Sequence, residues 1–265
     1  MHSLRADERQ ELIVTATDPQ PADRKTITIL AATSIELMPT VQALNLKLAG
    51  GLWIGESPTA RVIAKVTGMG PTSAAAALLR LLDHVKVAAI LSIGFAGGLE
   101  RGLTVGELLD IRWIINAHDE VLDIRAGVPK GAENLIERTP LRSLLSVDYV
   151  VTSPVAKRRL YEKHLAASVD MESYQLAKVA GSLGIPFFPV RVVSDPADMA
   201  MPIEAARWVT SDGEPDKRAA CRDLLRRPTL LPVMLRLNKN AKLCAQVLAR
   251  HTKEIVRREV SRQAR

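Results

Sequence analysis

The stretch "VAAILSIGFAGG", residues 87–98, decides the fold. It is a continuous apolar run with no helical spacing, and it ends in a glycine corner. Such a run reads as a strand buried on both faces, which is the signature of a parallel sheet covered by helices. Working outward, the same signal alternates with helical periods. "TITILAAT" (26–33) is a buried strand, and "SIELMPTVQALNLK" (34–47) is a helix with Pro39 near its first turns. "ARVIAKVTGMG" (60–70) is a strand ending in glycines, followed by the helix "TSAAAALLRLLDH" (72–84) with Thr72 or Ser73 as its cap. "ELLDIRWIIN" (107–116), "DYVVTSP" (148–154), "ASVDM" (167–171) and "IPFFPVRVVSD" (185–195) read as further strands, and "SYQLAKVAGSLG" (173–184) as a helix closed by Gly184. The expectation is an α/β fold, a single domain with a central mixed, mainly parallel twisted sheet flanked by helices, plus basic C-terminal helices. In such sheets ligands collect beyond the carboxyl ends of the strands, where Thr33, Gly68, Gly94 and Asp195 stand.

At 265 residues, 47% of them apolar, the chain is long enough to bury a full core. No apolar run is long enough to cross a membrane, and "MHSLRADERQ" lacks the apolar stretch of a signal peptide. Cys221 and Cys244 fit no metal or disulfide framework, which points to a buried apolar role for each, no bound metal, and a reducing cytoplasm. The formal charge of +7 is unevenly placed. Residues 217–265 hold fourteen Lys and Arg against three acids (Asp223, Glu254 and Glu259), a formal +11 that leaves −4 on residues 1–216. Three parts follow: a loosely held extension at 1–25, the α/β domain at 26–216 and a basic helical extension at 217–265. The stretch 117–148 has little periodicity and reads as a loop or lid.

Two corners carry chemistry. "VDMES" (169–173) puts Asp170 and Glu172 at the mouth of a helix, and "RVVSDPAD" (191–198) ends a strand in Ser194, Asp195 and Pro196. On residue type alone, Asp195 or Ser194 caps a helix starting at Pro196, Glu172 favours a helix dipole, and Thr33 with Glu36 forms a capping box. Asp170 reads as a cap. Taken together with "AATSIEL" (31–37), "VTGMG" (66–70) and "IGFAGGL" (93–99), however, the corners resemble the nucleoside phosphorylase and nucleosidase superfamily. In detail they are similar to its methylthioadenosine/adenosylhomocysteine nucleosidase branch. "VSDPADMAMP" followed by "LLRRPTLLPVMLRL" (224–237) is closer still to the hopanoid-associated phosphorylases, which resemble enzymes removing adenine from adenosylhopane. The resemblance covers roughly residues 26–250.

The resemblance implies cleavage of an N-glycosidic bond, which needs a general acid at the base and carboxylates at the sugar and the attacking oxygen. It makes Asp195 the acid, in an apolar wall that keeps it protonated, with Ser194 orienting it or the base. Glu36 would activate water, with Arg191 one strand away as its partner. Glu172 would accept from the ribose hydroxyls while Met171 packs on the sugar. Val155 and Ala156 in "TSPVAK" (152–157) would lie near adenine, and Gly97, among the glycines 68, 70, 94, 97 and 98, would let backbone approach the ligand. Phosphate-using relatives carry arginines in the nucleophile loop and before the central glycine corner. Here "AATSIEL" and "LSIG" carry none, so hydrolysis is expected, with phosphate kept as an alternative co-substrate and Arg191 as its one anion contact. Phe95 stands where the nucleosidase branch has a serine near the sugar. No cofactor is implied. A purine- or lipid-binding module without turnover is the second reading. Nucleic-acid binding is the third, and 3% aromatic content argues against it. The expected partners are a small nucleoside, further copies of the chain and, through the basic tail, an anionic membrane face. In the tail Leu231, Met234, Leu235, Leu237, Leu243, Val247 and Leu248 form an apolar stripe that packs on the body or faces lipid.

Overall fold

The computed structural model describes residues 25–57, 60–124 and 142–263. The expected extension therefore lies outside them apart from Lys25, and so does 125–141 of the expected lid. The strands are β1 (Lys25–Ala31), β2 (Lys47–Ala49), β3 (Leu52–Glu56), β4 (Ala60–Val66), β5 (Ala89–Gly98), β6 (Leu108–Leu109), β7 (Ile111–Asn116), β8 (Val121–Asp123), β9 (Arg142–Ser146), β10 (Ser168–Asp170) and β11 (Phe187–Asp195). The α-helices are α1 (Ser34–Ala43), α2 (Pro71–Leu82), α3 (Pro154–His164), α4 (Ser173–Ser182), α5 (Lys217–Arg226) and α6 (Leu231–Gln263). The strands form one sheet in the order β2-β3-β4-β1-β5-β10-β9-β7-β8, with β11 paired to β5 and β6. The long central pairings β4·β1, β1·β5 and β5·β11 are parallel, while β2·β3, β3·β4 and β7·β8 at the margins are antiparallel.

Alternation along the central strands builds three layers. Leu30, Ile90 and Val193 face a cluster with Ala74 and Leu78 of α2 and Leu176 and Ala180 of α4. Their neighbours Ile29, Leu91 and Val192 face the opposite side, against Leu37 and Val41 of α1 and Cys244, Leu248 and Val256 of α6. The basic C-terminal helix is thus half extension and half core. From Cys244 onward it covers the sheet, whereas Leu231, Leu235 and Leu243 of its first turns are exposed.

β5 sits at the centre because it is paired along both edges. One edge runs with β11 from Ile90 to Gly97. The other pairs β1 at residues 89–92 and then β10 at Gly97 and Gly98. Between those two partners, residues 93–96 have no strand on that edge among the described residues, and a side chain there can take a backbone N–H. β11 carries a register shift between Val193 and Asp195, a bulge at Ser194 that ends the ladder and re-aims the chain.

Several local expectations change. Helix α2 begins at Pro71 with Gly70 as its N-cap and no side-chain cap, so neither Thr72 nor Ser73 plays that part. Helix α1 stops at Ala43 because Asn45 turns left-handed, and the chain then enters the β2–β3 hairpin. The run 107–116 is broken at Asp110, and "DYVVTSP" forms no strand. Parts of the aperiodic stretch 117–148 are strand, β8 and β9, because pairing with β7 and β10 fixes them without an apolar pattern of their own. Cys244 is buried as expected, but Cys221 is exposed.

Candidate active site

Groups that follow or belong to β1, β4, β5 and β10 surround one small cavity, and the end of β11 sets Asp195 beside Gly97, three residues farther along β5 than Gly94. From β1 the chain turns into α1 through a complete capping box, with the Thr33 hydroxyl accepting from the Glu36 N–H. Glu36 Oε2 accepts from the Thr33 N–H at 2.9 Å and the Thr33 hydroxyl at 2.8 Å. Its other oxygen, Oε1, takes the Phe95 N–H at 2.8 Å, in the gap along β5. The cap and the site are therefore the same carboxylate, one oxygen serving each. Burial raises its pKa, opposed by the Phe95 N–H, Thr33 and the more distant Arg191 charge.

Glu172 follows β10. It stands at the N-cap of α4 without capping it, and instead accepts the Gly70 N–H through Oε1 at 2.7 Å. Gly70 has φ of +87°, a left-handed setting open to glycine that aims its N–H across the site. Burial and then the Asp170 charge push Glu172 up to about 8, with Glu36 adding to the repulsion. A small cavity is lined by Glu36, Glu172, Phe95, Arg191, Ser92 and Thr67. Met171 is half-buried beside Glu172 in the same turn.

Arg191 lines that cavity but has no N–H left for an anion. Nε donates to Asp170 at 2.9 Å, one terminal nitrogen to the carbonyls of Ser92 and Val190, and the other to the hydroxyls of Ser92 and Ser173. Its ion partner is Asp170, not Glu36. Asp170 is more than a cap: besides accepting the Ser173 N–H it accepts the Ser146 hydroxyl.

Asp195 closes the other corner. It is buried, and its surroundings differ from the expected apolar wall. The Lys157 ammonium, itself wholly buried, donates to Oδ2 at 2.6 Å, and the Ser194 hydroxyl donates to Oδ1. Burial raises the Asp195 pKa, while Lys157 and Ser194 oppose the rise. Gly94 and Gly97 make room for both corners on one strand. A Cβ at Gly94 would lie 3.2 Å from Glu36 Oε1, and one at Gly97 would lie 3.2 Å from Asp195 Oδ2.

Val155 and Ala156 do not join this cavity. Ser153 caps α3, Pro154 opens it, and "VAK" forms its first turn in place of an open loop. Val155 lines a separate, broad groove of about 1140 Å³ with Tyr161, Leu103, Pro196 and Ala197, and Ala156 packs against the Leu99–Val169 cluster. The residue missed by sequence reasoning is Lys157. It stood within "TSPVAK", and a lysine three residues into a capped helix gives no sign by itself of being buried. Among the described residues no group of three or more His, Cys, Asp or Glu side chains is placed to hold a metal.

Comparison with known proteins bears on the family and the fold. Residues 26–140 and 130–226 match the phosphorylase superfamily. Among solved structures, the futalosine hydrolase of Helicobacter pylori is similar at 19% identity and a TM-score of 0.65, over 88% of this chain and 98% of that one. A variant of the H. pylori 5′-methylthioadenosine nucleosidase, holding 5′-methylthioadenosine in its active site, is similar at 19% identity and 0.63, over 88% and 99%. The Arabidopsis thaliana 5′-methylthioadenosine nucleosidase is similar at 15% identity and 0.65, over 88% and 95%. At these identities the structural likeness is one of fold.

Proposed function

We propose that this chain, which belongs to the phosphorylase superfamily, cleaves the N-glycosidic bond of an adenine nucleoside carrying a 5′ substituent, with water as nucleophile. The observation that supports the reading is that Glu36 and Glu172 share one cavity while Asp195 stands three residues farther along β5, beside Gly97, and that all three carboxyls, two buried and Glu172 half-buried, have a raised affinity for protons. Groups poised in this way suit proton transfer near neutral pH. Asp195 gives its proton to nitrogen 7 of the base as the bonding pair of the glycosidic bond moves into the leaving ring. Glu36 takes a proton from the water whose oxygen bonds to the anomeric carbon. Glu172, protonated at neutral pH, donates to one ribose hydroxyl and accepts from another, with Met171 against the sugar. Adenine and free sugar leave, and the proton on Glu36 returns to Asp195 through solvent.

Hydrolysis is favoured over phosphorolysis because every Arg191 N–H is taken within the protein, which leaves a phosphate without a bidentate partner in the cavity. The solved relatives named above are described as hydrolase or nucleosidases. The test is adenine release from adenosine, methylthioadenosine, adenosylhomocysteine and adenosylhopane, with and without phosphate. Free sugar formed in phosphate-free buffer is expected. A strict phosphate requirement with a sugar 1-phosphate product overturns hydrolysis, and binding without release from any of the four returns the chain to a binding module. Adenosylhopane is included because the 193–202 and 224–237 segments resemble the hopanoid-associated group. Sizing of the purified protein tests the expected homo-oligomer.

The same reading extends to an anionic membrane face on the cytoplasmic side. Residues 217–243 contain eight Lys and Arg and one acid, Asp223, which is buried against Arg207 and Trp208. Among these bases Leu225 is 84% exposed and Leu235 60% exposed. Basic groups beside exposed leucines suit a negatively charged lipid surface, at roughly 1 kcal/mol per base close to it. Among the described residues no helix is long and apolar enough to cross a membrane, so the contact would be peripheral. Salt-sensitive flotation with vesicles containing anionic lipid is expected. Full-length protein remaining soluble at low salt rejects it. Since α6 also covers the core, Leu225→Glu with Leu235→Glu is a cleaner control than truncation after residue 216.

A further inference from the structure

The Lys157 side chain is 0% exposed, and every acceptor it touches belongs to the acid corner. Its ammonium donates to Asp195 Oδ2 at 2.6 Å, to the Asp195 carbonyl at 3.0 Å, to the Pro196 carbonyl at 2.7 Å and to the Met199 carbonyl at 3.3 Å. Three of these are main-chain oxygens of the loop that leaves β11, so one side chain holds both the carboxyl and the backbone carrying it. The ammonium is placed by α3, whose start is fixed by the Ser153 cap and Pro154. Burying a charge is expensive unless it is fully paired, and here pairing is complete. A loop anchor needs only the carbonyls. The carboxyl is the fourth acceptor, and it is the group that would lose a proton in the reaction.

We infer that Lys157 is the positioning residue of the acid corner, holding Asp195 and the 195–199 loop in place and neutralising the carboxylate that remains once Asp195 has protonated the leaving base. This rests on the reading of Asp195 as the general acid. As the proton moves from the Asp195 oxygen to the base nitrogen, negative charge appears on a buried carboxyl. A fixed cation already in contact stabilises that charge more in the transition state than in the ground state, which is the condition for raising kcat and leaving KM little changed. Among the described residues, the titratable groups facing Asp195 are Lys157 from α3 and the Cys244 thiol from α6, the latter held neutral because burial pushes it up to about 11.

The experiment compares two substrates: 5′-methylthioadenosine, whose leaving group needs a proton, and 4-nitrophenyl β-D-riboside, whose leaving group does not. Lys157→Met should lower kcat on methylthioadenosine by about 10- to 100-fold, with KM and the nitrophenyl riboside rate changed by less than about threefold. The basic limb of its pH profile should move to higher pH, because Asp195 without the ammonium holds its proton more tightly. Lys157→Arg, which keeps the charge, should leave that limb in place and restore part of kcat. In an Asp195→Asn background, Lys157→Met should cost nothing further on methylthioadenosine. Equal losses on both substrates, additive losses in the Asn background, or an unmoved basic limb in Lys157→Met would overturn the inference. Wild-type adenine release by Asp195→Asn would instead sink the general-acid reading, whereas loss there with an unaffected Lys157→Met sinks the role of Lys157 alone. Should Lys157→Met fail to fold, Lys157→Arg decides, since a basic limb that moves with the charge retained counts against it. Should the wild type turn over neither substrate, infrared titration of the Asp195 carboxyl decides: a rise in Lys157→Met supports the coupling, and no change overturns it.

Discussion

The two corners of the site hold their carboxyls by different means. Glu36 and Glu172 are fastened by neutral donors, the N–H groups of Thr33, Phe95 and Gly70 and one hydroxyl, with no cation bonded to either among the described residues. Asp195 is fastened by an ammonium. A neutral donor fixes direction and only weakly opposes burial, so a carboxyl so held readily gains a proton, as a base or a sugar ligand must. A cation favours the ionised form, so a carboxyl so held readily gives one up. The difference supports the roles proposed above, which residue type alone leaves open.

The comparison breaks most sharply at Glu36. Glu36→Gln removes the proposed base and turns one acceptor into a donor facing an N–H. Turnover should fall by about 1,000-fold, and thermal denaturation should show a loss of roughly 1–3 kcal/mol from the unsatisfied group. Asp195→Asn keeps an oxygen for Lys157 but has no proton to give. Adenine release should drop by about 100-fold while ligand binding, followed by calorimetry, persists. Either variant with near-normal turnover would end the assignment of that corner. Glu172→Ala should act more mildly, raising KM about 10-fold, and 2′-deoxy substrates should lose their penalty in that background. Smallest is a pH effect. Glu172 binds its proton more tightly in the fold, near 8, than at its ordinary value of 4.5. Between these values the folded protein holds the extra proton, so stability falls as pH rises from about 4.5 to 8. The melting temperature should therefore decline across that window in the wild type and flatten in Glu172→Gln. An equal slope in both would place the tight proton elsewhere.

The layers and the long central strands were legible in the sequence because apolar runs such as 87–98 and 185–195 leave few alternatives. The capping box at Thr33 and the acidic corners were legible for a similar reason, each being a local pattern. What stayed hidden depends on partners far along the chain. β8 and β9 exist because β7 and β10 pair with them, and Asn45 ends α1 through backbone shape. Arg191 looked free for an anion, yet Asp170, Ser92 and Ser173 from three other segments consume it. Lys157 and Asp195 lie 38 residues apart, and no pattern in either segment announces the pair.

One feature of α6 bears on how the protein is made. Asn240 donates to the Ser194 carbonyl at 3.1 Å, and the Cys244 thiol to the Val193 carbonyl at 3.2 Å, so the bulge that aims Asp195 is fastened from behind by residues synthesised long after it. The sheet can pair and α1, α2 and α4 can dock while those residues are still inside the ribosome. The acid end of β11 cannot be fastened until they emerge. A nascent chain would therefore carry its Glu36 and Glu172 corner before its Asp195 corner, and maturation of the second would coincide with docking of the C-terminal helix.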